Sequence, residues 1–141
     1  MRESEYTRDF DSSGQIIDVP LDLSSQVASS LIEVVAPTGE HEMTDYINFA
    51  EELDDGEAQA LAIAKNRNFT LLTDDKKAIN IAARMDVGVT TITTAMVVRQ
   101  WQEQANVTDE ELRKVLARIE QLARFSPRRG TPDWIWWNSK R

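Results

Sequence analysis

Five carboxylates bracket residues 53–75: Asp54, Asp55 and Glu57 at one end, Asp74 and Asp75 at the other. If the two ends meet in the fold, their charges repel unless a cation or bound protons relieve them. Oxygen ligands without Cys or His suit Mg²⁺ or Mn²⁺. A divalent ion held in this way activates water and stabilises a phosphoryl transition state. A plainer reading stands beside this one. Asp54 and Glu57 have capping-box spacing, and acids in a first turn also favour the helix macrodipole. Asp74 and Asp75 precede Lys76, Lys77 and Ala78 and suit the cap of a following helix.

The elements between the acids decide whether they can meet. Residues 55–65 predict a buried helix, because Ala58, Ala60, Leu61, Ala62, Ile63 and Ala64 cover most of its circumference. Residues 69–73 are a short apolar run ending in two acids. This predicts a buried parallel strand that delivers Asp74 and Asp75 to the rim where α/β sheets bind ligands. Further strands are predicted at 16–19, 31–35 and 87–92, which puts Val34, Leu71 and Val89 at the centres of three strands. A short helix is predicted at 3–8, one or two helical turns at 24–30, and longer helices at 76–85 and 94–104. Thr44 serves as the expected N-cap of a helix over 45–53, with Tyr46, Ile47, Phe49, Ala50 and Leu53 as its apolar stripe. The run Thr108, Asp109, Glu110, Glu111 is a capping box opening a helix to about residue 124. Alternating strands and helices imply parallel strands joined by right-handed crossovers, hence an α/β fold.

Composition narrows the class. The 141 residues allow one domain with a real core, and the net charge is −8. The absence of cysteine excludes disulfides and zinc–thiolate sites and fits a cytoplasmic protein. No apolar run is long enough to span a membrane, and the first residues show no signal peptide. His41, between Glu40 and Glu42, reads as a solvated loop residue. Charge is uneven along the chain. Residues 1–53 hold twelve acids and two bases, whereas residues 113–141 hold eight bases and two acids. A basic segment on an acidic protein is compatible with nucleic-acid binding, and equally with a solvated tail. Residues 126–141 therefore read as a basic tail rich in tryptophan (Trp134, Trp136, Trp137), its indoles serving packing or base stacking.

Residues Asp55, Gly56, Glu57, Ala58, Ala60, Ala62 and Ala64, then Leu71, Leu72, Thr73, Asp74 and Asp75, then Ala82, Gly88 and Val89, resemble the second half of a PIN domain. The resemblance is carried by about residues 50–100. It implies a three-layer α-β-α domain over residues 1–125 around a small parallel sheet, with 126–141 appended. It also implies an Mg²⁺- or Mn²⁺-dependent endoribonuclease of the kind found as toxins, with RNA as substrate and an antitoxin or a second copy as partner. Glu57 and Asp75 match two of the family's acidic positions, with Asp74 beside them, and Glu3 is the candidate for another. The metal set implied is Glu57, Asp75 and Asp74. The opening strand of the family, with its Asp, has no counterpart in this chain. A truncated chain, residues 16–19 with Asp18 moved into the vacancy, or a strand from a second chain would each account for that. Lack of that Asp supports an alternative, a catalytically impaired PIN-like binding or oligomerising protein. A receiver-like phosphoacceptor is disfavoured, since the further Asp and the Lys it needs at strand ends are lacking.

Overall fold

The computed structural model describes residues 6–141. In chain order the elements are β1 (Tyr6–Phe10), β2 (Ile16–Pro20), α1 (Ser24–Ala28), α2 (Gly39–Ala50), α3 (Asp55–Arg67), β3 (Leu71–Leu72), α4 (Lys76–Ala82), β4 (Thr91–Ile92), α5 (Thr94–Gln104) and α6 (Asp109–Arg118). A π-helical turn (Ile119–Ala123) and α7 (Pro132–Lys140) follow. The chain divides into two compact units. Residues 35–104 form one; residues 1–34 and 105–141 together form the other.

In the 35–104 unit, α3 is the central element. Ala58, Leu61 and Ala62 are wholly shielded from solvent, and their core includes Phe49 and Leu53 together with Leu71, Ala78, Ile81 and Val89. The methyl side chains of α3 let its neighbours approach closely, so the helix is buried on most sides as its composition predicts. Strands β3 and β4 pair in parallel, Leu71 opposite Thr91 and Leu72 opposite Ile92. Two hydrogen bonds extend the ladder: the Leu71 amide donates to Thr90 O at 2.9 Å and the Thr73 amide to Ile92 O at 3.1 Å. The mixed α/β character expected from the pattern is present.

The other unit opens with the antiparallel hairpin β1–β2, in register from Tyr6 opposite Pro20 to Phe10 opposite Ile16. Asp11 closes the turn, its Oδ1 accepting from the amides of Ser13 (2.8 Å) and Gln15 (2.9 Å). Asp9 pairs with Arg118 at 2.9 Å, and Arg8 reaches the carbonyl of Leu122. Helix α6 opens with the Thr108–Glu111 capping box and buries Leu112 and Leu116 completely. Within the stretch read as a tail, α7 forms behind its Thr131 cap, with Pro132 in its first turn. Trp137 is buried edge-on to Phe125, centroids 5.8 Å apart, and its indole donates to Glu120 at 2.8 Å.

Several expected elements are corrected, mostly because a backbone amide already has a local partner. Residues 31–35 are not a strand. The amides of Leu31 and Ile32 donate to Gln26 O as they close α1, and Leu31 and Val34 are 78% and 80% exposed. Val34 thus centres no strand. The helix expected over 3–8 is instead β1 over its described part, since Tyr6, Thr7 and Phe10 favour extended backbone and find a partner across the Asp11 turn. The strand over 69–73 is only Leu71–Leu72, because the Phe69 amide caps α3 through Ala64 O. That over 87–92 shortens to Thr91–Ile92, because the amides of Val87, Gly88 and Val89 turn back to Arg84 O and Ala82 O after α4. The helix expected over 76–85 accordingly ends at Ala82. The helix expected to about 124 is α6 only to Arg118, and then widens into the π-helical turn.

Helix α2 starts five residues before the expected N-cap, Thr44. This places His41 on an exposed helical surface rather than in a loop, and leaves Ile47 and Ala50 outside the buried stripe. Glu42 explains the earlier start. Its carboxylate accepts from the Thr38 amide at 2.7 Å and takes a two-pronged bond from Arg67 of α3 at 2.7 and 2.9 Å. It is a buried acid, 7% exposed, and a pattern of apolar residues cannot reveal such an anchor.

The Arg67 guanidinium, then the Thr38 amide, hold the Glu42 carboxyl down at about 2 from an ordinary 4.5. A carboxyl lowered on folding contributes stability above its unfolded value and loses it as pH falls toward the folded one. Glu42→Gln should therefore lower the urea midpoint at pH 7, and its gap from wild type should close between about pH 4.5 and pH 2. Urea denaturation followed by far-UV circular dichroism across that range tests this. A gap that does not change with pH would remove the ion pair as its cause.

Candidate active site

Each acid at the two ends of residues 53–75 is positioned by a backbone contact. Asp54 is the N-cap of α3 and accepts from the Glu57 amide at 2.9 Å. This fixes the first turn of the helix and sets Glu57 on it, partly buried. Asp55 accepts from the Tyr46 hydroxyl at 2.5 Å, tying α2 to the start of α3. The bond to Asp55 raises the pKa of the Tyr46 phenol, keeping it protonated.

At the other end, Asp75 is the N-cap of α4 and accepts from the Ala78 amide at 2.8 Å. Its own amide donates to Thr73 Oγ1 at 3.1 Å. Asp74 turns to α5. Its Oδ1 accepts from the Thr94 amide at 3.0 Å and its Oδ2 from the Thr94 hydroxyl. The two neighbouring acids therefore do different work. Asp75 starts the helix after β3, and Asp74 ties the end of β3 to the helix after β4.

Glu57 and Asp75 lie within electrostatic reach of each other. The Glu57 carboxyl is raised above its ordinary 4.5, first by burial, then by the negative charges of Asp75 and Asp54; the Asp54 backbone amide and then Lys77 oppose this. Capping and clustering are thus both present. Asp54 and Asp75 cap their helices, and their charges still act on Glu57. Asp75 keeps one oxygen without a hydrogen bond among the described residues. Glu3 lies outside the described residues. Among those described, no three His, Asp or Glu side chains converge in a ready-made metal set.

The chemistry of the donor set fits a hard cation. The donors are oxygens only, and the ionised form of Glu57 is disfavoured by burial and by its acidic neighbours, which a positive ion would relieve. Mg²⁺ commonly binds through one or two carboxylates and keeps its remaining positions for water and phosphate oxygens. Sequence reasoning missed two residues that act on these acids. Thr94, which holds Asp74, follows β4 much as the acids follow β3, and this equivalence was the available signal. Lys77, just after the acidic pair, was assigned only to the helix.

A family model described as a PIN domain matches residues 15–129, well beyond the stretch that carries the resemblance in the sequence, and the chain belongs to that family. No curated protein and no solved structure matches the chain. PIN domains generally use divalent metal ions. Among the described residues, no helix is long and apolar enough to cross a membrane.

If Asp75 acts on Glu57 through its charge, Asp75→Asn should lower the Glu57 pKa while leaving α4 capped, since Asn caps as well as Asp. The side-chain carboxyl resonance of Glu57, titrated by NMR in both proteins without metal, reads this directly. Glu57→Gln adds the linked stability effect. A carboxyl raised on folding loses stability as pH rises above its unfolded value. The variant should therefore gain on wild type from about pH 4.5 to neutrality, by roughly 0.5 kcal/mol, the scale of ordinary surface substitutions. An unchanged Glu57 titration in Asp75→Asn would separate the two acids.

Proposed function

We propose that this PIN domain is a metal-dependent endoribonuclease hydrolysing RNA phosphodiester bonds, with Mg²⁺ or Mn²⁺ held by Glu57 and Asp75. What supports this reading is the family match over residues 15–129 together with the placement of Asp54 and Glu57 at the start of α3 and of Asp75 at the start of α4, where the charge of Asp75 acts on the Glu57 carboxyl. A divalent cation there would supply Lewis-acid polarisation of the phosphoryl group and a more acidic water. The chain's own residues do the rest. Asp54 fixes the turn from which Glu57 projects. Ionised Glu57 and Asp75 would hold the ion, and a cation there would offset the burial and the acidic charges that disfavour the Glu57 carboxylate without metal. Asp74, bound through both oxygens to Thr94, braces the rim rather than joining the pair, and Glu3 is the candidate for a further acid. RNA is the substrate class, and an antitoxin protein or a second copy of the chain is the partner class for a toxin-type member.

A second reading has its own support, in that these acids are already in use. Asp54 and Asp75 cap helices, and both Asp74 oxygens are bound to Thr94. A family member whose acids serve only structure would bind or oligomerise without cleaving.

Single-stranded RNA incubated with Mg²⁺ or Mn²⁺ separates the two. The nuclease reading expects cleavage that Glu57→Gln and Asp75→Asn each reduce by about 100-fold or more, since loss of even outer-shell partners costs 10–100-fold. It also expects Mn²⁺ to raise the wild-type melting temperature, because a ligand at 100 times its Kd stabilises by about 2.7 kcal/mol. Neither variant should show that rise in full. Absence of both cleavage and thermal shift at millimolar metal would favour the binding reading.

A further inference from the structure

We propose that the C-terminal cleft between the π-helical turn and α7 is a second, non-catalytic subsite that binds single-stranded RNA by its phosphate and one base. The proposal rests on the reading above for its ligand class and places that ligand on residues the hydrolysis does not use.

Two adjoining cavities make the cleft. One of about 340 Å³ is lined by Arg124 and Phe125, the other of about 140 Å³ by Arg129, Trp134 and Asn138, and both share Glu120, Ser126 and Arg141. The larger is of a size that ligand pockets commonly have. Its single carboxylate side chain is already neutralised, as Glu120 pairs with Arg141 at 3.2 Å and accepts from the Trp137 indole at 2.8 Å. Arg141 is held in place by that pair and by Asn138. Arg124 and Arg129 remain, both exposed, and neither makes an ion pair or side-chain hydrogen bond among the described residues. The charge left uncompensated in the cleft is therefore positive. Phosphate is what a pair of free guanidinium groups holds best.

Arg124 has a second distinguishing feature. It ends the π-helical turn in the left-handed conformation, φ 52°, where Gly or Asn sits at lower cost. Arg124 is one of the residues lining the larger cavity. Trp134 supplies what a purely anionic ligand would not need. Its indole is partly exposed and belongs to neither of the ring pairs that build the buried cluster, Phe125–Trp137 and Trp136–Trp137. An aromatic face beside unpaired cations is the pattern that binds single strands, with a base on the ring and the backbone on the charges. The Ser126 hydroxyl adds a polar group along the shared wall.

The test measures binding alone. Fluorescence anisotropy of dye-labelled oligouridylate with the full chain in EDTA, over a salt series, compares wild type with the double variant Arg124→Gln/Arg129→Gln. The expected result is binding at least about 10-fold weaker, with a salt slope reduced by about 0.7 for each phosphate no longer neutralised. Trp134→Leu should weaken binding and leave the slope unchanged, while Trp134→Phe should restore most of the loss by keeping a stacking ring. The control pair Arg113→Gln/Lys114→Gln on α6 removes the same charge outside the cleft and should cost about twofold at most. Equal losses in control and cleft variants would overturn the proposal, as would an unaffected cleft variant. Competition by polyglutamate as strong as that by RNA would assign the cleft to an acidic protein instead. A wild type that binds RNA through this cleft but never cleaves it would sink only the nuclease reading. A wild type that cleaves, with a cleft variant that binds normally, would sink only the subsite.

Discussion

Close approach to α3 is the constraint on which the 35–104 unit depends. Ala58 and Ala62 are shielded completely, so nothing larger than a methyl group fits between this helix and its neighbours. Extra methylenes in such a core cost about 1–3 kcal/mol. The same tightness fixes the axial position of α3, and with it the height of Asp54 and Glu57 at its start. Leu71 of β3 and Ala78 of α4 are in that core. The acids are therefore positioned by apolar packing a few residues away, and their own hydrogen bonds set only the final orientation.

The two ways of reading those acids are not alternatives in physical terms. A capping carboxylate is worth about 1 kcal/mol to its helix, enough to hold Asp54 and Asp75 at fixed points on two helices. Fixed acids at two helix starts then generate a negative field for Glu57, the partly buried acid between them. Any cation bound there would meet a site assembled from groups whose retention the fold already requires. Asp74 shows the other outcome. It points to Thr94 instead of joining the pair, and its contribution is to hold the β3 and β4 ends in register.

Legibility followed the periodicity of the chain. Helices α3, α5 and α6 could be read because their patterns are long, and the caps at Asp54, Asp75 and Thr108 because their spacing is local. Four strands were expected, and those at 31–35, 69–73 and 87–92 failed in whole or part for one reason: apolar, β-branched residues say nothing about which amides a preceding helix will take. Glu42 with Arg67 was invisible because it links residues 25 apart, both of which look like surface charges in sequence. Of the candidate site, the identity of the acids was legible. The division of labour between Asp74 and Asp75 was not, since it depends on Thr94, 20 residues on.

The chain's two compact units differ in when they can exist. The 35–104 unit is continuous and is complete once its own residues are made. The other needs both 1–34 and 105–141. Its hairpin is tied to partners very far along the chain, Asp9 to Arg118 across 109 residues and Arg8 to Leu122 across 114. At ribosomal rates of about 5–20 residues per second, the hairpin waits roughly 5–20 s for them. During that interval Arg8 and Asp9 are without Leu122 and Arg118, the partners they later bind. Early in its life the protein is a nascent chain whose middle has all its own residues while its first strands still wait for theirs.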